Sequence, residues 1–570
     1  MDYSRLDLVR RSATPIELDL VESYARGRIT RRQFMQRATV IGLSMASVSA
    51  VIAACSPGTP SVAPTGAPGS VDPGASPSAG ASGSVGGTIR VSYQRPGGPL
   101  DPVAMVDLAS YGVTATSFEF LCTLNKTADD IAPGLAEKWT PNDDNSVWTF
   151  DLRQGVMWQD GTPFTSADVV ATMERLVTAG NSGLKGVIEA GSAVATDENT
   201  VTFNLVSANG NFPYLVSVFN AQALITPADY VAGTTLDARP AGTGAWKLDT
   251  YDIATGATFS RNESWWGGRT PLDTIEFTFF DDTGAMVTAY QGGQIDAIVQ
   301  FDVLTGADLF DDPNFTVVET PTTNHRQIWM NTDKGDFADP RVRQALALAI
   351  DRPALIEQLF KGKGILANDH VIAPFYPYFS DTVEQRAQNI EQAKQLLSDA
   401  GKTGLTATLQ YGRLNEIPDL AVLIQSQAAQ AGITITPAGG DNGPFYDLHW
   451  CNTTTPTDPP CQGNAELGIV DYGHRASPDV FLNSAFRTNG VWNASHYSSA
   501  AFDAAFTEFQ SAVGVEAQTA ACAKIEKIMY DDVPAVIPYF YNYLSGNAKT
   551  FTGVYTCALG QIFLSSASAV

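Results

Sequence analysis

The sequence predicts an α/β protein built as two lobes joined by two chain crossings. Strand-like alternating segments and amphipathic helices interleave along the body of the chain, which is the pattern of an α/β core. An extended stretch from Asn324 to Asn331 divides that pattern into two halves. A second extended stretch, Val533 to Phe540, reads as the chain returning to the first half. Two crossings make a hinge, because few backbone torsions then control the angle between the halves.

Ahead of the body, Thr30-Arg31-Arg32-Gln33-Phe34-Met35 is followed by an apolar run, Ala38 to Ala50, and by Ile52-Ala53-Ala54-Cys55. Adjacent arginines, an apolar stretch and a small-residue cleavage site are the parts of a twin-arginine export signal. Residues 1–54 are therefore expected to be a leader. Cys55, directly after small residues, resembles the lipobox cysteine of bacterial lipoproteins, where the thiol is acylated and becomes the first residue of the mature chain. The alternative is a buried helix or a single span over residues 35–54 with Cys55 an ordinary thiol. That run is short and rich in Ala and Ser, whereas crossing ~30 Å of hydrocarbon takes about 20 strongly apolar residues. Residues 55–87 are almost entirely Ser, Pro, Gly, Ala, Thr and Val, too poor in apolar surface to offset backbone ordering, and read as a disordered tether.

A formal charge of -25 opposes nucleic acid or an anionic lipid face as a partner, since either needs a basic patch. Hydrophobic residues make up 44% of the chain, enough for large cores, yet no run after Cys55 is long enough to span a bilayer. The membrane is expected to be met only through the N-terminal lipid. Of six cysteines, Cys451 and Cys461 bracket a polar loop and read as a disulfide in an exported chain. A metal reading exists because His449 and His474 lie nearby, although the spacing matches no zinc pattern. No metal and no cofactor is expected.

The ordered body starts at the alternating segment Thr88 to Tyr93, stopped by Pro96-Gly97-Gly98-Pro99. Ala115 to Leu124 is an apolar segment expected to be helical, and Val147 to Leu152 alternates as a strand. Thr165 and Asp168 form a capping box before a helix carrying Val169, Met173, Leu176 and Val177 on one face. Asp339 followed by Pro340 starts another helix, with Val342, Ala345, Leu346 and Ala349 on its core stripe. Further elements are the segment Ile356 to Phe360, a helix from Asn389 to Ala400, a strand from Leu405 to Leu409 and a helix from Leu420 to Ala431. Gly242-Thr243-Gly244 lacks the spacing and the Lys-Ser/Thr of a phosphate loop and reads as a tight turn, and no Gly-x-Ser-x-Gly elbow occurs.

Five segments carry a family resemblance. They are Pro133 to Trp139, Trp158 to Val169, Gly242 to Trp246, Arg261 to Trp266 and Asp339 to Leu346. Their residues and order, within about 88–560, resemble family 5 solute-binding proteins of ABC transporters, the dipeptide and oligopeptide binders. The resemblance implies a two-lobe periplasmic-binding-protein fold of the α/β class, type II-like and of cluster C, with an extra subdomain in the first lobe. It places lobe I over 88–325 with an insertion at about 125–235, lobe II over 326–535, and a return to lobe I over 536–570. It also implies a monomer that is not an enzyme, that captures a peptide or another small solute and that delivers it to permease subunits.

A peptide held in a cleft presents an ammonium, a carboxylate and an extended backbone, so the site needs an acid, a cation and strand-like partners. In the family an Asp in a Gly-Trp-x-x-Asp-like segment holds the peptide amino terminus. Gly468-Ile469-Val470-Asp471-Tyr472 sits where that segment belongs, one residue shorter and without the Trp. Asp471 is thus the candidate ammonium partner, against the plain reading of a loop-capping aspartate. Arg326 on the crossing strand and Arg475 just past Asp471 are rival carboxylate partners. Tyr93, Trp450, Tyr472 and Trp492 are candidates for packing on ligand side chains, against the plain reading of core aromatics. Within this class nickel chelates, haem, opines and oligosaccharides stay open as solutes. An exported hydrolase is the competing class, but no nucleophile and base pair stands out and only five His occur.

Overall fold

The computed structural model describes residues 86–570 apart from 106, 126–129, 182, 232 and 452–460. The leader, Cys55 and most of the tether lie outside the described residues. Among the described residues no helix is long and apolar enough to cross a membrane.

The chain opens with β1 (Thr88–Gln94), where Ile89, Val91 and Tyr93 are buried in alternation, and continues into α1 (Leu108–Ser117). A separate four-stranded sheet follows, made of β2 (Ala136–Pro141), β3 (Val147–Leu152), β4 (Ala193–Asp197) and β5 (Thr200–Asn204), in the order β2-β3-β5-β4. Between β3 and β4 lies α2 (Ser166–Thr178), where Thr165 N donates to Asp168 Oδ2 at 2.8 Å and Val169, Met173 and Leu176 are buried. The chain then adds β6 (Trp246–Asp252), β7 (Gly256–Arg261), β8 (Thr274–Phe280), α3 (Thr283–Gln291), β9 (Ala297–Phe301) and β10 (Phe315–Thr320).

After residues 321–324 the chain runs as β11 (His325–Met330), α4 (Pro340–Ala349), α5 (Arg352–Phe360), β12 (Gly364–Leu366) and α6 (Ile390–Asp399). It goes on through β13 (Thr406–Gly412), α7 (Ile417–Gln430), β14 (Thr434–Gly440) and β15 (Leu467–Tyr472). The helices α8 (Ala500–Ser511) and α9 (Val515–Asp532) precede β16 (Ala535–Val536), β17 (Tyr539–Tyr541) and β18 (Tyr543–Ala548). Two large sheets result. One has the order β10-β18-β9-β1-β8-β7-β6, and the other β12-β17-β11-β15-β13-β14 with β16 also on β11. Asp339 Oδ1 accepts the Arg341 amide at 2.9 Å and starts α4, whose Val342, Ala345, Leu346 and Ala349 are all buried.

Two expectations change. The segment Ala115 to Leu124 is not one helix: α1 ends at Ser117, Phe118 is extended, and Cys122–Leu124 forms a short strand. A short continuous apolar run fits a buried strand as well as a helix, so period alone does not separate the two. The chain also does not leave the second sheet at Val533 to Phe540, because β16 and β17 both pair with β11. It changes sheet at Asn542, between β17 and β18.

β1 is parallel to β8 and β9, and β13 is parallel to β14 and β15. Their carboxyl ends therefore gather on one edge of each sheet, at Gln94, Phe280 and Phe301 in the first and at Gly412, Gly440 and Tyr472 in the second. Ligands of open α/β sheets bind outside such edges.

Candidate functional site

The site is organised by the antiparallel pair β11 and β15, where Arg326 faces Asp471 and His325 faces Tyr472 in register. Successive strand residues point to opposite faces, so Asp471 and Tyr472 are separated by the sheet. On one face Ile328, Met330, Leu467 and Ile469 pack with the helices α4, α5 and α7. On the other, Trp329, Val470, Tyr472 and Phe540 form an aromatic core with Phe481 and Phe445. Gly468 is required there, since a Cβ at that position would lie 2.2 Å from the Trp329 ring.

Arg326 lies on the helix-covered face, only 1% exposed. Its Nε is 2.9 Å from Glu416 Oε1, Nη2 donates to Glu416 Oε2 at 3.0 Å, and Nη1 donates to the Tyr541 hydroxyl at 2.8 Å. Burial alone would lower its pKa, but Glu416, Tyr541 and Asp471 outweigh that and raise it. The expectation of Arg326 as a carboxylate partner for ligand is corrected: Glu416 already neutralises it. Asp471 is half-buried at the carboxyl edge and accepts a hydrogen bond from the Tyr446 hydroxyl. Arg326, Glu416 and Asp471 together carry one excess negative charge.

Beyond β15 the chain passes between the lobes. The His474 ring is buried and meets Phe219 of the first lobe edge-on at 5.5 Å, while its Nδ1 accepts the Thr323 amide at 3.1 Å. Burial, aided by Arg475, pushes the imidazole down to about 3, so it is neutral at physiological pH. Arg475 donates from Nη1 to the carbonyls of His474 at 2.8 Å and Gly473 at 3.3 Å. Desolvation lowers its pKa, and the groups that oppose this are Tyr111, Tyr376, Tyr472 and Cys557. Among the described residues no carboxylate pairs with it. Tyr111, on α1 in the first lobe, is near enough to feel this charge. Arg475 is thus an interlobe cation without an acid.

The aromatic candidates divide. Tyr93 belongs to the first-lobe core, 2% exposed, with its ring 4.9 Å from Phe277 and its hydroxyl donating to the Gly560 carbonyl at 2.8 Å. It has no surface left for a ligand and its one donor is taken, and Gly112 must stay a glycine because a Cβ would meet the Tyr93 hydroxyl at 2.1 Å. Tyr472 and Trp450 are buried in the second-lobe aromatic core, their rings 6.4 Å apart. Trp492 is half-buried, 5.7 Å from Tyr472, and packs against the cores of both lobes. Cys451 is joined to Cys461 by a disulfide, and the loop it closes lies outside the described residues. His449 and His474 do not converge on a metal: the former bonds Asn464 and the latter Thr323. Cys122, Cys522 and Cys557 are buried free thiols.

Several residues at this place carry no signal in the linear sequence. Glu416, Tyr446, Tyr111, Phe219 and Thr323 reach the site from five separate segments, and only the tertiary packing of helices and loops around the sheet brings them near β15.

Residues 130–489 match the family model described as bacterial extracellular solute-binding proteins, family 5 Middle. The chain is 25% identical over 469 residues to heme-binding protein A of Haemophilus influenzae, covering 76% of this chain and 84% of that one. It is 29% identical over 298 residues to the dipeptide-binding protein of Escherichia coli, covering 48% of this chain and 55% of that one. Its fold matches the periplasmic binding protein DppA from Helicobacter pylori, solved with the peptide STSA, at a TM-score of 0.70 and 21% identity over 85% of this chain and 99% of that one. With most of its body matched by that model and the two-lobe α/β fold in place, the chain belongs to the family 5 extracellular solute-binding proteins of ABC importers.

Proposed function

We propose that the protein is the lipid-anchored binding subunit of an ABC importer, that it captures oligopeptide-like solutes by closing its lobes, and that it hands them to membrane permease subunits. Arg475 carries the reading. A half-buried guanidinium between the lobes, with no acid paired to it among the described residues, is built for a carboxylate, since paired ionised groups make the strong hydrogen bonds. The excess negative charge at Asp471 supplies the complement for an ammonium, and Trp492, packed on Tyr472 across the sheet from Asp471, offers an aromatic surface for solute side chains. Closure follows if the solute makes contacts to both lobes that exist only in the closed form. The relatives named for dipeptide, glutathione and murein peptide support a peptide-like solute.

In this reading the first lobe runs from residue 88 to the crossing at 321–324, with the insertion at about 125–235. The second runs from 325 to 541, and β18 returns the chain to the first. The protein acts as a monomer, and Cys55 holds it to the outer face of the membrane through a tether. Native mass spectrometry of the protein purified from its exported fraction tests the solute. A bound peptide released unchanged on unfolding supports the reading, and accumulation of a cleaved product overturns it. Replacing Cys55→Ser is expected to release the protein from the membrane fraction.

A second solute class has support from the relative named for haem, which aligns over 84% of its own length. Haem also carries carboxylates, so the cation at Arg475 suits it. A Soret band on the purified protein selects that class over peptide.

A further inference from the structure

The two crossings are laced to each other and to the site by two adjacent threonines. Thr322 Oγ1 donates to the Tyr541 carbonyl at 2.7 Å, the Tyr541 amide donates to the Asn324 carbonyl at 3.0 Å, and the Asn324 amide donates to Thr322 Oγ1 at 3.0 Å. These bonds tie the first crossing to the end of the second. Thr323 points the other way. Its hydroxyl accepts the Arg475 amide at 2.8 Å and lies 3.1 Å from both the Arg475 carbonyl and His474 Nδ1, while its own amide donates to His474 Nδ1 at 3.1 Å. Both threonines are fully buried. The Tyr376 hydroxyl donates to the same Arg475 carbonyl at 2.5 Å, so Arg475 is held on its second side as well.

A crossing strand needs no side-chain bond to a residue of the binding segment, because strand pairing already fixes β11 on β15. The hydroxyl of Thr323 adds a link between the torsions that change on closure and the backbone that aims a guanidinium with no acid partner among the described residues. We propose that Thr323 is a positioning residue that couples hinge angle to the orientation of Arg475, so that a carboxylate drawn to Arg475 is read directly by the hinge. The inference rests on the solute-binding reading for the role of Arg475, but the link itself exists without solute. Turning the hinge moves residues 321–324, and through Thr323 it moves the Gly473 to Arg475 turn. Conversely, a turn released from Thr323 leaves the hinge free to sample open angles. Two hydrogen bonds of ordinary strength, made at the hinge angle seen here and lost at wider ones, change such an equilibrium by roughly tenfold or more.

The test uses the solute-free full-length mature chain, with spin labels on Asp249→Cys in β6 and Glu391→Cys in α6, both exposed. Thr323→Val keeps the shape and the backbone amide but loses the hydroxyl. Thr323→Ser keeps the hydroxyl, and Thr323→Ala is the second hydroxyl-free variant should Val fail to fold. Pulsed electron–electron distance measurement is expected to show a wider distribution shifted to longer separations in the Val or Ala variant, with the open to closed ratio raised roughly tenfold, and a wild-type distribution in the Ser variant. An unchanged distribution in the hydroxyl-free variant, or an equal shift in the Ser variant, overturns the coupling. Failure of the solute-binding reading shows separately, as a wild-type distribution that tri-alanine and haem leave unmoved.

Discussion

Asp479 of the second lobe accepts a hydrogen bond from Asn211 of the first, Nδ2 to Oδ2 at 2.9 Å, with both side chains buried. Asn209 approaches the same carboxylate at 3.5 Å, Gln518 donates to Asn211 Oδ1 at 3.2 Å, and the Gly210 amide donates to the Gln510 carbonyl at 3.0 Å. The next residue, Val480, is buried in the first-lobe core, while Phe481 is buried in the second-lobe core. The loop after β5 thus clasps the second lobe. Asp479→Ala leaves two buried amides without their acceptor, a loss of about 1–3 kcal/mol. Urea unfolding is expected to show that loss, and small-angle scattering a larger radius of gyration. Unchanged values in both measurements would remove the clasp from the account.

The ion pair of Arg326 and Glu416 predicts a larger effect. A buried guanidinium left without its carboxylate is destabilising by about 3–5 kcal/mol. Glu416→Ala is therefore expected to lower unfolding free energy by about that amount. Asp471→Asn should change stability much less, because Asp471 is half-buried and Glu416 remains on Arg326. Chemical denaturation of the two variants checks the ordering, and the reverse ordering would contradict the assignment of Glu416 as the partner.

Glu526 sets a pH dependence. Its carboxyl is fully buried on α9, one oxygen accepts the Ser380 amide at 3.1 Å, and the other has no partner among the described residues. Burial raises its pKa to about 8. A carboxyl raised on folding binds its proton more tightly in the native state, so stability falls as pH rises from the unfolded value near ~4.3 toward that pKa. Glu526→Gln keeps the acceptor for Ser380 and removes the titration. The variant should match wild type near pH 5 and exceed it progressively up to pH 8, by a few kcal/mol, in thermal melts across that range. Parallel profiles would show that Glu526 is not the group responsible.

Much of the fold is legible from local chemistry. The capping box of Thr165 and Asp168, the Asp339-Pro340 start of α4 and the alternation of β1 are each decided within a few residues. The apolar stretch before Leu124 misleads because burial on all sides erases the period that separates helix from strand. The site is less legible because charge compensation is tertiary. Arg326 and Arg475 look equivalent in sequence, yet Glu416, 90 residues from Arg326, neutralises only one of them. Asp471 and Tyr472 look like joint ligand contacts, but as neighbours on a strand they cannot share a face. The hydroxyl of Tyr93 is taken by a carbonyl 467 residues away.

Arg475 as the carboxylate partner is the claim on which the functional account turns. Tryptophan fluorescence titration with tri-alanine and with its C-terminal amide, on wild type and on Arg475→Met, tests it most directly. The account predicts saturable binding of the acid by wild type, with affinity lower by roughly tenfold or more for the amide and for the variant, as expected for loss of a charge-assisted hydrogen bond. Equal affinity for acid and amide, or undiminished binding by Arg475→Met, would contradict it.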